Sequence, residues 1–370
     1  MSIYYFLGCE FNLQLCIYYL KKEKLINDYG FTIRNIQGDK IMKINVKINK
    51  ISIFVVIIFT CLMLISTTEP IKIKGETNVF NIIKKENVVN TKEVVEKLCS
   101  DKYCERLVGC KGNEKSAEYL ADILKRIEVE PVYGDTYCVP YTQWVYPKYN
   151  VIDEANCQYK PIDNVAGMIK GADSSKAVII SAHFDNIEAS DKDRYILRGA
   201  LDNASGVAAV AKIAESLKNK SGEKQFERDI IFVFFNGEET GFQGSSAFVK
   251  KIKPKYVNLY NINIDCIGGK DTGKITLHNS SKNSEKLTES MKRIFRYNKL
   301  PYSEIPLKGG SSDNRSFEKA GLSNICICQD NVYKFIHKDS DNPEIIDFNQ
   351  IDKLSEVICD FIINNDKVDF

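Results

Sequence analysis

The run Ile230-Ile-Phe-Val-Phe-Phe235 constrains this chain more than any other feature. Six consecutive apolar residues, β-branched and aromatic, fit a strand covered on both faces, as in the middle of an α/β sheet. The run breaks at Asn236-Gly237, and the chain then presents two adjacent carboxylates, Glu238 and Glu239, before Gly241. Ligands and catalytic groups of open α/β sheets gather past the carboxyl ends of strands. Two neighbouring glutamates there repel each other unless a cation or a shared proton intervenes. One reading is a metal site in which one glutamate is a ligand and its neighbour carries a proton. The plainer reading is a solvated Glu-Glu turn, and the rest of the chain has to decide.

Further apolar runs alternate with helical patterns. Strands are expected over 132–141, 164–169, 177–181, 257–264, 274–278 and 324–328. Helices are expected over 91–106, 114–127, 202–217, 241–251, 285–296, 311–320 and 349–363, several with apolar residues at three- and four-residue spacing, such as Ala117, Leu120, Ala121, Leu124 and Ile127. This alternation implies a three-layer α/β/α sandwich on a mostly parallel mixed sheet. A net charge of +2 gives no reason to expect a nucleic-acid partner.

The first part of the chain reads differently. Residues 1–41 mix apolar pieces with lysines and show no sustained period, and are expected to be an extension preceding a translation start at Met42. A basic segment, 42–50, leads into the uncharged apolar run Ile51–Ile65, and Ser66-Thr-Thr-Glu-Pro70 ends it. Residues 42–66 therefore read as a secretory signal or an uncleaved membrane anchor. Either would put the remainder outside the cell, secreted or tethered through 51–65. Residues 67–90 are a polar linker, and 91–370 form the globular domain. Nine of the twelve cysteines follow residue 66, none in a Cys-x-x-Cys pair, which argues against a thiolate zinc site. Cys99, Cys104, Cys110, Cys138 and Cys157 lie near loops and are the expected disulfide partners. Cys326 and Cys328 alternate with isoleucines on an expected strand and read as buried free thiols.

Polar residues emerge from apolar runs at four strand ends: His183 with Asp185, Glu238 with Glu239, Asp265, and His337 in the loop after 324–328. Asp202 adds a fifth point at a helix start. These positions use two of only three histidines in the chain; the third, His278, sits on a strand away from any motif and reads as a plain surface or core residue. Imidazole and carboxylate ligands without sulfur suit zinc, with cobalt or manganese as alternatives. The carboxylates outnumber what one tetrahedral ion needs, and two ions ~3.5–4 Å apart bridged by one carboxylate would use them all.

The motifs His183-x-Asp185, Asp202-Asn-Ala-Ser-Gly206, Asn236-Gly-Glu238-Glu239-x-Gly241, Asp265 and His337 followed by Asp341 together resemble peptidase family M28, the co-catalytic zinc aminopeptidase type. Glu105-Arg-Leu-Val-Gly109 extends the likeness toward residue 91. The resemblance implies two zinc ions per chain. Asp202 would bridge them, Glu239 and His337 would complete one ion, and His183 and Asp265 the other. Glu238 would be the general base and acid, and Asp185 would accept the other N–H of the His183 ring. It also implies a cis peptide after Asp202, and substrates that are peptides with a free N-terminus. Where relatives carry Ser-Asp-His-x-x-Phe, this chain has Ser312-Asp313-Asn314-Arg-Ser-Phe317. Ile336 precedes His337 where some relatives carry an aromatic residue, leaving Tyr333 as the candidate to support an oxyanion. Gly309-Gly310-Ser-Ser lacks the strand and Gly-Lys context of a phosphate loop. The alternative activity is a glutaminyl cyclase-like acyltransferase with one zinc, a type that favours tryptophans around its pocket; this chain has only Trp144. A non-catalytic, receptor-like relative would have lost ligands that are all present here.

Overall fold

The computed structural model describes residues 88–104, 106–146, 156–187, 197–279, 281–305 and 310–370. The expectations for residues 1–41, for the signal or anchor at 42–66, and for all but the end of the 67–90 linker lie outside the described residues. The chain divides into two units, Met1–Lys84 and Lys85–Phe370, and everything described belongs to the second. No helix among the described residues is long and apolar enough to cross a membrane.

Helix α1 (Thr91–Leu98) starts where the Asn90 side chain accepts from the amides of Lys92 and Glu93, and it buries Val94, Val95 and Leu98. Val88 and Val89 already belong to the packed domain: both amides donate to Glu215. The helix expected to reach residue 106 stops at Leu98, because the Leu98 carbonyl is taken by the Arg106 guanidinium at 2.8 Å rather than by a further turn. Helix α2 (Lys111–Ile127) follows, ended by Glu128 at φ 68°.

Among the described residues, nine strands form one sheet in the order β1-β3-β5-β4-β6-β9-β7-β8, with β2 paired to β3. They are β1 (Glu130–Pro131), β2 (Cys138–Val145), β3 (Gln158–Ile169), β4 (Asp173–His183), β5 (Arg228–Phe235), β6 (Asn258–Ile264), β7 (Ile275–His278), β8 (Tyr302–Ser303) and β9 (Ser323–Gln329). The centre, β5-β4-β6-β9, is parallel, while β3 and β7 run antiparallel to their inner neighbours. The strand expected over 132–141 begins only at Cys138, since Tyr133 and Thr136 close a turn around Gly134 at φ 58°.

The remaining α-helices among the described residues are α3 (Ser205–Ser221), α4 (Gln243–Ile252), α5 (Glu285–Tyr297), α6 (Asn314–Lys319) and α7 (Phe348–Asn365). Strand β5 shows how the layers are built. Ile230, Phe232 and Phe234 enter a large core with residues of α2, α3, α5 and α7, while Ile231, Val233 and Phe235 enter a smaller one with Phe248 of α4 and Phe317 of α6. Successive side chains of a strand point to opposite faces, so an unbroken apolar run serves both layers. Each fully buried Phe contributes about 1.5–3 kcal/mol over leaving it in water. The consecutive strands β4, β5 and β6 are neighbours in the order β5-β4-β6, so the chain steps first to one side of β4 and then to the other. Such a switch point opens a crevice past the strand ends.

Candidate metal centre

Each expected site residue sits on the rim of that crevice. His183 is the last residue of β4, Glu238 and Glu239 follow β5, Asp265 follows β6, and His337 lies beyond β9. Asp202 stands just before α3, where the Asp202–Asn203 peptide is cis, as the resemblance implied. The regular helix begins at Ser205, not at Asp202. Asn203 secures this entry: its amide donates to the Ile264 carbonyl at 3.0 Å, and its side-chain oxygen accepts from Gly206 and Cys266 at 2.9 and 3.2 Å.

The side chains converge as two triads that share Asp202. In the first, His183 Nε2 lies 3.1 Å from Asp202 Oδ1 and 3.5 Å from Asp265 Oδ1. In the second, His337 Nε2 lies 3.2 Å from both Asp202 Oδ2 and Glu239 Oε2. Within each triad the potential ligand atoms all lie within 4.8 Å of one another. His337 holds φ 59°, a conformation that costs a non-glycine residue about 1–3 kcal/mol and is concentrated at functional sites.

Two observations fit this arrangement to metal ions. The buried Glu239 Oε1 has no hydrogen-bond partner, which is expensive for a polar group out of water. The donors are imidazole nitrogens and carboxylate oxygens only, the set that suits zinc or a neighbouring divalent metal. The titration behaviour points the same way. Burial works to raise Asp202, but hydrogen bonds from His183 and His337 bring it below the usual carboxylate range. His337 is raised to about 10 by its bonds to Asp202 and Glu239. Burial works to lower His183, yet the charges of Glu238 and Asp265 hold it well above its ordinary value. Burial, then the charge of Asp202, lifts Glu239 to about 7. Burial also lifts Glu238 well above its ordinary value, with Glu239 and Asp265 adding to the effect. Protons are held where cations would otherwise balance the charge.

Supporting contacts explain why the side chains stay in place. The His183 ring Nδ1 lies 3.2 Å from the Asp185 backbone carbonyl, closer than the 3.5 Å to its carboxylate. The Asp185 carboxylate instead accepts from the amides of Glu238 and Glu239 at 3.2 and 3.1 Å, tying the end of β4 to the loop after β5. Asp341 accepts from the amides of Leu201 and Asp202. Asn236 exchanges paired side-chain bonds with Asn113, each 2.9 Å, and its amide donates to Asn164 at 2.9 Å. Nothing in the linear pattern marked Asn113 or Asn164.

A cavity of about 360 Å³ opens beside the triads, walled by Phe242, Cys266, Cys326, Cys328, Val332 and Ile336. His278, read as a plain surface or core residue, also lines it. The signal was its antiparallel register opposite Cys326, visible only once β7 and β9 are paired. Tyr333 does not line the cavity; it is 66% exposed and its hydroxyl donates to Asn331 at 3.4 Å. Asn314 lines the cavity, whereas Asp313 is fully buried and raised by that burial to about 7. Cys326 and Cys328 are buried free thiols, as expected. Cys99, expected in a disulfide, is also a free thiol; it donates to the Arg198 carbonyl at 3.4 Å, and burial raises it to about 12. Cys138, another expected partner, is a free thiol too.

The model of peptidase family M28 matches residues 164–362. The chain belongs to peptidase family M28. Among M28 relatives, aminopeptidase YwaD of Bacillus subtilis is 29% identical over 150 residues, covering 39% of this chain and 30% of that protein. A vacuolar membrane protease of Candida tropicalis is 28% identical over 222 residues, covering 55% of this chain and 22% of the protease. The chain thus spans under a third of the length of these two relatives. Among solved structures, the Legionella pneumophila LapA aminopeptidase superposes with a TM-score of 0.59 at 20% identity, over 81% of this chain and 78% of that one. A glutaminyl cyclase of Fimbriiglobus ruber gives 0.59 at 20% identity, over 80% and 98%. At such identities the likeness shows a shared M28-type α/β fold.

Proposed function

We propose that this chain is an aminopeptidase holding two zinc ions, one on His183, Asp202 and Asp265 and one on Asp202, Glu239 and His337. The observation that carries the reading is the division of labour at Asp202, whose Oδ1 lies 3.1 Å from His183 and whose Oδ2 lies 3.2 Å from His337. When bound, the ions would polarise a scissile carbonyl and acidify a water. The remaining work falls to the chain. Glu238, its carboxyl raised by burial, takes a proton at its side-chain oxygen and returns it to the leaving amine. Asp185 holds the Glu238 and Glu239 amides so that both carboxylates stay aimed at the centre. The cavity beside the triads receives the N-terminal residue of a peptide and excludes water from it. The basic segment and apolar run at 42–65 support a chain exported or held at a membrane with this domain outside, and the vacuolar membrane proteases among its relatives are in keeping with membrane association.

A panel of peptides with free and blocked N-termini tests the proposal, run with and without chelator. Free peptides should lose single N-terminal residues, with activity abolished by chelator and restored by zinc. Cleavage of blocked peptides from the carboxyl end alone would overturn it. The glutaminyl cyclases among the structural neighbours favour a second reading, single-zinc cyclisation of N-terminal glutamine. Against it, two triads are present, and Trp144 lies 54% exposed on the β2–β3 hairpin rather than in the cavity. One ion per chain together with pyroglutamate formation would establish that second reading.

A further inference from the structure

Arg106 is fully buried, and the charge it carries is felt by the buried Asp341 carboxyl, which burial raises and Arg106 works to lower. A guanidinium out of water is costly unless its donors are satisfied, and here they are met by backbone carbonyls. Nε donates to Phe184 O at 2.8 Å, Nη1 to Leu98 O at 2.8 Å and Arg198 O at 3.0 Å, and Nη2 to Gly199 O at 2.9 Å. Phe184 directly follows His183, and Gly199 lies three residues before Asp202. One planar side chain therefore joins the segment carrying His183 to the segment carrying Asp202, and braces both against the end of α1. Its own carbonyl continues the link, accepting from the Asn186 amide at 3.3 Å and from Asn113 at 2.8 Å. The fit is close: a Cβ on Gly199 would meet Asp202 O at 2.5 Å and Asn186 Nδ2 at 2.6 Å.

We infer that Arg106 is a positioning residue for one half of the metal centre: it sets the spacing of His183 and Asp202 before any ion arrives. The inference rests on the two-ion reading above. It predicts an asymmetry. None of the four carbonyls belongs to the segments bearing Glu239 or His337, and Asp202 keeps a second hold through Asp341. Losing the guanidinium should therefore loosen the His183–Asp202–Asp265 triad far more than the Asp202–Glu239–His337 triad. A lysine cannot substitute, because its donors radiate from one point and cannot span carbonyls on separate segments.

The test titrates Co2+ into the full chain, stripped of metal, in two backgrounds that each leave one triad intact. In His337→Ala, adding Arg106→Lys should weaken Co2+ binding about 10–100-fold, the range seen when groups orienting metal ligands are lost. In Asp265→Ala, the same change should cost less than about 3-fold. Equal losses in both backgrounds, or none in either, would overturn the inference while leaving the two-ion reading intact. Absence of Co2+ uptake by the wild-type chain would remove both. Should Arg106→Lys fail to fold, hydrogen–deuterium exchange on the stripped wild type decides. The amides of Asn186 and Ala204, bonded to Arg106 O and Gly199 O, should already exchange slowly before Co2+ is added. If they become protected only on adding Co2+, the ions order these segments and Arg106 does not.

Discussion

Loading both triads with zinc at pH 7 is expected to release at least about 1.5 protons per chain. Metal ligands must be deprotonated, so every proton held by the stripped centre has to leave. His337, raised to about 10, carries one at pH 7. His183, held above its ordinary value despite burial, adds to the count. Glu239, raised to about 7, carries roughly half of one. Glu238 adds to the count if it ionises as the ions bind, so the figure is a lower bound. The sign is fixed by the direction of these shifts. Raised values mean that protons compete with metal at neutral pH, and the competition grows as pH falls. The overall two-ion binding constant should therefore drop at least roughly 30-fold per unit of pH near 7. The release should rise by about half a proton at pH 6 and fall by about half at pH 8, as Glu239 titrates. Calorimetric titration with Zn2+ at fixed pH, in buffers of differing ionisation enthalpy, reads the number directly. Release of less than one proton, or an affinity flat between pH 6 and 8, would refute the reasoning that His183, Glu239 and His337 hold the two ions.

Three further outcomes are expected. Glu238→Gln should retain both ions by metal analysis yet lose about 10²–10⁴-fold in turnover of N-terminally free peptides; near-normal turnover would remove its role as proton carrier. Asp185→Asn can accept only one of the two amides now bonded to its carboxylate, and should weaken zinc binding about 10-fold, readable by competition with a chromophoric chelator. Gly244→Ala should lower the melting temperature by several degrees, since its Cβ would meet Asn236 O at 2.1 Å and Asn164 Oδ1 at 2.4 Å; an unchanged melting curve would show that the loop after β5 yields freely.

The fold class and the five candidate ligands were legible because each left a signal in the linear order. His183, Glu239 and Asp265 stand where apolar runs end, and strand ends are where an α/β sheet exposes its chemistry. The helix boundaries were less legible. Nothing local to residues 99–106 says that Leu98 will surrender its carbonyl to Arg106, and the strand expected at 132 was displaced by the turn at Gly134. Tyr333 was the one proposed contributor that the structure leaves far out in solvent.

Periodicity and spacing, being local, are enough to determine layers, strand ends and the chemical type of the ligands. Which atoms meet is another matter, because the partners are remote. Asn113 and Asn236 are 123 residues apart, Arg106 and Phe184 78, and Asp341 and Asp202 139. His278 gains a place in the cavity wall only because β7 lies antiparallel beside β9. Hydrogen bonds act over about 3 Å regardless of chain separation, so the sequence by itself decided what kinds of groups the centre has, and only the folded sheet decided which of them share Asp202 and what holds them there.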